Sequence, residues 1–268
     1  MATRTTHRGW LRSLDWLSMA LALGGLLLVY YLAPMASLFL SASPAEVLGG
    51  LSDPTVRSAA TTSLLSASIT TALATVLGLP LAYWLARAET RWTTAVLAAA
   101  VLPLVLPPTV GGVVLLTVFG PDTPIGGAAA AAGLPLTRSL AGVVLAQTFV
   151  ASPFVVVTAK AAFESVDRTL EHASRSLGKS RWRTARHVTL PLAGPGILAG
   201  MTLAFARAMG EFGATMMVAY YPRTMPVEIW VSFQALGLER AYPVAILLVV
   251  IAVGALLLFN TVASNPWA

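Results

Sequence analysis

The sequence predicts an all-α fold, a polytopic membrane helical bundle of about six transmembrane helices with one structured cytoplasmic loop. Three observations predict it. Hydrophobic residues make up 57% of the 268 positions and charged residues only 10%, against roughly 25% charged in soluble domains. The apolar residues gather into runs of the ~20 residues that a helix needs to cross hydrocarbon. The charge gathers too: seven of the seventeen basic residues lie between Lys160 and Arg186. An island of that size cannot lie in hydrocarbon, so it forms a loop on one side of the membrane.

The chain reads as a single transmembrane domain over 1–268. Residues 1–15 are polar and basic, and the first span is placed at 16–40. Ser41-Ala42-Ser43 resembles a signal-cleavage site, but the run before it is too long for a signal h-region and long enough to span. Residues 42–57 read as a short outer connection, in which Asp53-Pro54 has the form of an N-cap followed by a first-turn proline. The second span, 56–86, is rich in Thr, Ser and Ala, which suits packing inside a bundle. Pro80 kinks it, and 87–91 make a tight cytoplasmic turn.

The third span, 93–119, contains Pro103, Pro107, Pro108, Gly111 and Gly112. These break the helical hydrogen bonding, and such a break survives only where protein or a water-filled cavity takes up the freed groups. It reads either as a structural kink or as a pathway-lining gate built on Pro107 and Pro108. Residues 120–138 form an outer loop, with 128–132 able to make a short interfacial helix. The fourth span is 140–162, the fifth 193–220 and the sixth 241–259, with Tyr220 and Tyr221 at the outer interface. Both termini are then cytoplasmic. The positive-inside count agrees. Arg4, Arg8, Arg12, Arg87, Arg91 and the seven basic residues of the island fall inside, and only Arg57, Arg138, Arg223 and Arg240 fall outside.

The loop at 164–191 reads as helix, sharp turn, helix. Asp167 is placed to cap the first helix. Leu170, Ala173, Ser174 and Leu177 follow at helical spacing. Gly178 sits where a left-handed residue ends a helix. Ser180 caps a second short helix carrying Trp182 and Ala185, and Leu190-Pro191 is expected to end it.

Arg207 and Glu211 are the charges of the fifth span, four residues apart and able to pair. Gly196, Gly200, Ala204 and Ala208 form a small-residue stripe that invites a close neighbour. The pair reads either as a structural ion pair or as part of a translocation pathway or gate. The chain has no cysteine, which excludes disulfides and thiolate chemistry. His7, His172 and His187 share no metal-ligand spacing, so no metal site is expected. The net charge of +6 sits at the ends of apolar runs, where it sets topology and not nucleic-acid binding.

The 171–191 stretch resembles the EAA loop of ABC importer permeases: Glu-Ala-Ala, three residues, Gly, nine residues, Ile-x-Leu-Pro. His172-Ala173-Ser174 fall on Glu-Ala-Ala, and Val188-Thr189-Leu190-Pro191 on Ile-x-Leu-Pro, with the spacing kept around Gly178. His172 replaces the usual Glu. Glu171 is adjacent but points about 100° away, so which of the two fills the acidic role stays open. The proline-rich third span and Gly-Glu-Phe-Gly-Ala-Thr at 210–215 resemble molybdate, tungstate and sulfate permeases, the latter string leaning to molybdate.

The resemblance implies a type I ABC importer permease of the inner membrane, working as a homodimer. It would take two cytoplasmic ATPase subunits and a periplasmic or surface oxyanion-binding protein. Glu171, His172, Ala173, Ser174, Leu177, Gly178, Val188, Leu190 and Pro191 would then couple it to the ATPase. The cargo would be molybdate or tungstate; sulfate or thiosulfate is the alternative. This chain has no Gly-rich phosphate loop, so it carries no cofactor, and ATP and Mg belong to the partner. An intramembrane enzyme would need paired catalytic groups at membrane depth, and a channel or secondary transporter would need no docking loop.

Overall fold

The computed structural model describes the backbone of residues 7–264 and the side chains of residues 16–258. Arg4, Arg8, Arg12 and His7 lie outside the described side chains. Every regular element among the described residues is helical. α1 (His7–Leu40) carries the first apolar run, and none of its residues from 16 to 40 is buried.

The stretch that reads as a plain connection is itself a helix, α2 (Pro44–Ser52). Ser43 Oγ accepts from Glu46 N at 3.3 Å, and Glu46 Oε2 accepts from Ser43 N at 2.7 Å. This reciprocal cap, with Pro44 in the first turn, satisfies amides that a helix start leaves free. α3 (Pro54–Arg87) begins on Asp53, whose carboxylate accepts from Thr55 N at 2.8 Å. Its Ser63, Ser66, Thr70 and Thr71 are buried, as the composition of that span suggests.

The third span is not straight. α4 (Trp92–Val105) and α5 (Pro108–Phe119) meet at a bend of 117°. Leu106 and Pro107 between them are extended, with ψ of 134° and 133°. Each precedes a proline, which disfavours helix at that residue, and neither proline can donate to a helical ladder. α6 (Pro124–Ala131) lies in the loop between the third and fourth apolar segments, capped by Thr123.

α7 (Leu140–Glu164) is the central post, packed against α3 and against the fifth apolar segment. The loop then gives α8 (Arg168–Ser176) and α9 (Arg181–Thr184). The second loop helix does not end at Leu190-Pro191. It runs through a π-helical turn, Ala185–Thr189, straight into α10 (Leu190–Met209). Pro191 has no N–H, and its ring would clash with the carbonyl four residues back. One wider turn, with Leu190 N donating to Ala185 O, relieves that crowding without stopping the helix.

The expected fifth span also breaks. α10 stops at Met209, and the chain crosses Gly210–Phe212 to a short helix, α11 (Gly213–Ala219). α12 (Met225–Leu236) and α13 (Leu238–Ser264) follow. α12 is not expected from the sequence. Its start is capped from afar: Met225 N donates to the buried Ser63 Oγ at 2.8 Å.

The small-residue stripe packs against α7 as expected. A Cβ on Gly200 would overlap Thr158 Oγ1, and one on Gly196 would fall 2.5 Å from Ala162 Cβ. No side chain larger than hydrogen fits there. Five helices are long and apolar enough to cross a membrane, or six with the bent pair counted as one. The chain is a multi-pass membrane protein, and α1 touches the rest chiefly at α13.

Candidate functional site: a broken-helix pocket and a basic loop

The two breaks lie far apart in sequence and come together in space. Together they form an open pocket of about 300 Å³ lined by Pro108, Thr109, Arg207, Gly210, Glu211, Phe212 and Gly213. The approach is close because both sides use glycine. A Cβ on Gly112 would lie 2.7 Å from Met217 Cβ and 3.0 Å from Ala214 O; one on Gly213 would lie 2.9 Å from Pro108 Cβ.

Arg207 and Glu211 meet here, with Arg207 Nη2 2.5 Å from Glu211 Oε2. The sequence spacing puts both on one helix face. In the structure α10 has already ended, and Glu211 lies in the non-helical stretch after it. Its other oxygen, Oε1, accepts from Ala214 N at 2.7 Å, an amide at the free start of α11. The carboxylate therefore holds the cation and the restart of the helix together. Glu211 is buried, at 1% side-chain exposure, whereas Arg207 keeps 27%. The cation thus keeps some access to the cavity that the carboxylate lacks.

Gln147 on α7 is not singled out by the sequence. Its Nε2 donates to Ala208 O at 3.0 Å, and its Oε1 accepts from Thr70 Oγ1 at 3.1 Å. It adds a side-chain donor to a carbonyl in the last turn of α10, which also accepts from Glu211 N at 3.1 Å, and ties that turn to α3. A single amide side chain in an apolar run is the available signal. Pro107 stands at the cap position of α5, beside Pro108.

In the charged loop, Asp167 caps α8 by accepting from Thr169 N at 2.8 Å, and Ser180 caps α9. Gly178 takes φ +80°, the left-handed turn that separates them. Leu170, His172, Ala173, Leu177 and Trp182 are exposed, Leu177 at 82% and Trp182 at 71%. Ser174 instead turns inward, its Oγ 3.1 Å from Thr184 Oγ1. Val188, Leu190 and Pro191 lie at the π turn and the foot of α10.

Glu171 and His172 part company. His172 faces outward, while Glu171 Oε1 accepts from Arg87 Nε at 3.1 Å, Arg87 Nη2 at 2.7 Å and Thr189 Oγ1 at 2.8 Å. Burial pushes the Glu171 carboxyl up. The hydrogen bonds from Arg87 and Thr189, with the charges of Arg87 and Arg168, outweigh that and hold it below its ordinary value. In the sequence Arg87 is only a topology signal. Among the described residues, no group of His, Cys, Asp or Glu could hold a metal ion.

Residues 74–265 match the family model described as "binding-protein-dependent transport system inner membrane component". A probable molybdenum ABC transporter permease protein of Haloferax volcanii is 55% identical over 252 residues, 94% of this chain and 92% of that one. The molybdate/tungstate transport system permease protein WtpB of Thermococcus kodakarensis is 38% identical over 235 residues, 87% and 90% of the two chains. Among solved structures, a bacterial ABC transporter importing the acidic polysaccharide alginate matches with TM-score 0.73 at 16% identity. It covers 98% of this chain and all of that one, 100%. The alginate transporter in complex with its alginate pentasaccharide-bound periplasmic protein gives TM-score 0.75 at 17% identity, over 94% and 95% of the chains. At that identity the likeness is one of fold. The matched family and the shared architecture agree with a multi-pass bundle of broken spans, and the chain belongs to the inner-membrane components of binding-protein-dependent transport systems, as an ABC importer permease.

Proposed function

We propose that this permease moves molybdate or tungstate into the cytoplasm. It acts as a homodimer, with two ATPase subunits inside and an oxyanion-binding protein outside. The observation that carries the reading is the cavity where the two helix breaks meet around Arg207. A dianion crossing hydrocarbon needs a cation and free backbone amides, and a break in a buried helix supplies the latter. Arg207, the one basic residue within the apolar runs, supplies the former. Glu211 already pairs with it, which keeps the site from holding its cargo tightly. An importer must release what it admits. The relatives whose names mention molybdate or tungstate favour those anions over sulfate.

Energy enters at the loop. The exposed side chains of Leu170, Ala173, Leu177 and Trp182 offer an apolar face of small and large residues for a cleft in the ATPase. His172 stands beside them as the outward polar contact. ATP and Mg stay on that partner. α1, uncovered over 16–40, leaves an apolar surface for the second copy and for lipid. The clustered basic residues support a cytoplasmic position for the loop and both termini.

The test is ATPase activity of the reconstituted complex, stimulated by the binding protein, across molybdate, tungstate, sulfate and thiosulfate. Stimulation by molybdate or tungstate with matching uptake is expected. Stimulation by sulfate alone would reassign the cargo. Failure of the wild-type chain to retain any ATPase subunit would overturn the importer reading for a channel or secondary transporter.

A further inference from the structure

The polar links around α8 form a second arrangement, separate from the outward docking face. α8 has no buried residue, so apolar packing does not fix its position. Polar side chains fix it. Glu171 Oε1 alone receives three hydrogen bonds, two from Arg87 at the inner end of α3 and one from Thr189. Thr189 is the last residue of the π turn, fully buried, directly below α10. Arg87 also donates to Val166 O at 3.4 Å, across the start of the loop. A lesser link joins Arg168 to Glu89 at 2.8 Å, but both side chains are largely exposed. The Arg87 and Glu171 side chains are 14% and 13% exposed.

Accepting the importer reading above, we propose that Glu171 is not a docking carboxylate. It is a positioning residue, the joint through which the loop helix moves α3 and α10 together. Its carboxylate reaches both membrane helices from one atom, so any displacement of α8 loads both. The π turn marks that point, a rare departure from α geometry of the kind found frequently at functional sites. α10 then carries the displacement to its far end, where Arg207 lies. Ser174, bonded to Thr184, links α8 to the same continuous helix one turn earlier. The inward face of α8 is thus occupied by joints to the membrane helices, and its outward face is left for the ATPase.

The experiment uses the full complex with its ATPase and binding protein in vesicles. Two quantities are read: retention of the ATPase subunit on purification, and the ratio of hydrolysis with loaded binding protein to hydrolysis without it. For Glu171→Gln, retention should persist while the ratio falls roughly tenfold, within the range that single changes impose on coupling between sites. Exchanging the charges, Arg87→Glu with Glu171→Arg, should restore most of the ratio, since Thr189 can accept as readily as donate. Thr189→Val removes one donor and leaves the ion pair, so it should fold even if Glu171→Gln does not, and lower the ratio by a smaller factor. Loss of the ATPase in Glu171→Gln without rescue by the exchange would overturn the proposal, because Glu171 would then touch the partner directly. An unchanged ratio in both Glu171→Gln and Thr189→Val would overturn it as well. Absence of ATPase retention by the wild-type chain would instead count against the importer reading itself.

Discussion

Arg207 and Glu211 sit four residues apart yet differ sharply in surroundings. The carboxylate is sealed, and the guanidinium side chain stays 27% exposed. Removing one partner of a buried pair leaves a charge without compensation, which costs about 3–5 kcal/mol. Glu211→Gln should therefore lower the unfolding midpoint in detergent markedly. The double variant with Arg207→Met should recover folding, because no lone charge remains. Uptake should stay low in that variant if Arg207 passes the anion, and return if the pair only braces the helices. Glu171 allows a second test, through pH. Its folded-state pKa is lowered. The stability it adds is therefore complete above the unfolded value of about 4.3, and is lost as pH falls through the folded value. Limited proteolysis of the loop should be slower in the wild type than in Glu171→Gln at neutral pH, and the difference should close as the pH falls below the ordinary glutamate range and through the lowered folded value. A difference that persists unchanged in acid would deny the charge a role.

Among the elements, α5 and α11 depend on contact without side chains between them. Gly112 faces Met217 and Ala214 with no room for a methyl group. Gly112→Ala should push the two helices apart and destabilise the protein by about 1–3 kcal/mol, as overpacking does. Gly24→Ala in α1, where nothing in this chain lies within 4 Å, is the matched control and should show only the helix-propensity gain of about 0.5–1 kcal/mol. Thermal unfolding of the two variants side by side separates packing from helix propensity. The α8–α9 turn fails by another route. A Cβ on Gly178 meets nothing within 4 Å, so its requirement comes from φ +80° alone. Gly178→Val should cost about 1–3 kcal/mol of local strain, release the ATPase and leave the membrane helices folded. Circular dichroism with ATPase co-purification reads both outcomes.

For the whole molecule, the absence of cysteine makes topology directly measurable. Single thiols introduced as Ser180→Cys and Asp122→Cys should be labelled by an impermeant reagent from the cytoplasmic and outer sides respectively. Labelling of both from one side would refute the inside assignment of the loop. The helical class, the apolar segments and the grammar of the loop are legible in the residues alone. Each is a property of consecutive positions: the length of an apolar run, Asp167 and Ser180 at cap positions, and glycine where the chain turns left-handed. The Ser43–Glu46 cap is equally local, and it marks a helix in a stretch that otherwise reads as a connection. The prolines announce a break in the third span but not its 117° bend, because proline removes hydrogen bonds without choosing a new direction. Three further facts come from packing in three dimensions. The first break meets the one after Met209 around Arg207. Gln147 donates into the last turn of α10. Glu171 faces Arg87 and Thr189 while His172 faces out. The partner of a polar side chain is set by how helices pack across long separations. Residue spacing along one helix tells which face a group is on, and packing alone tells what that face meets.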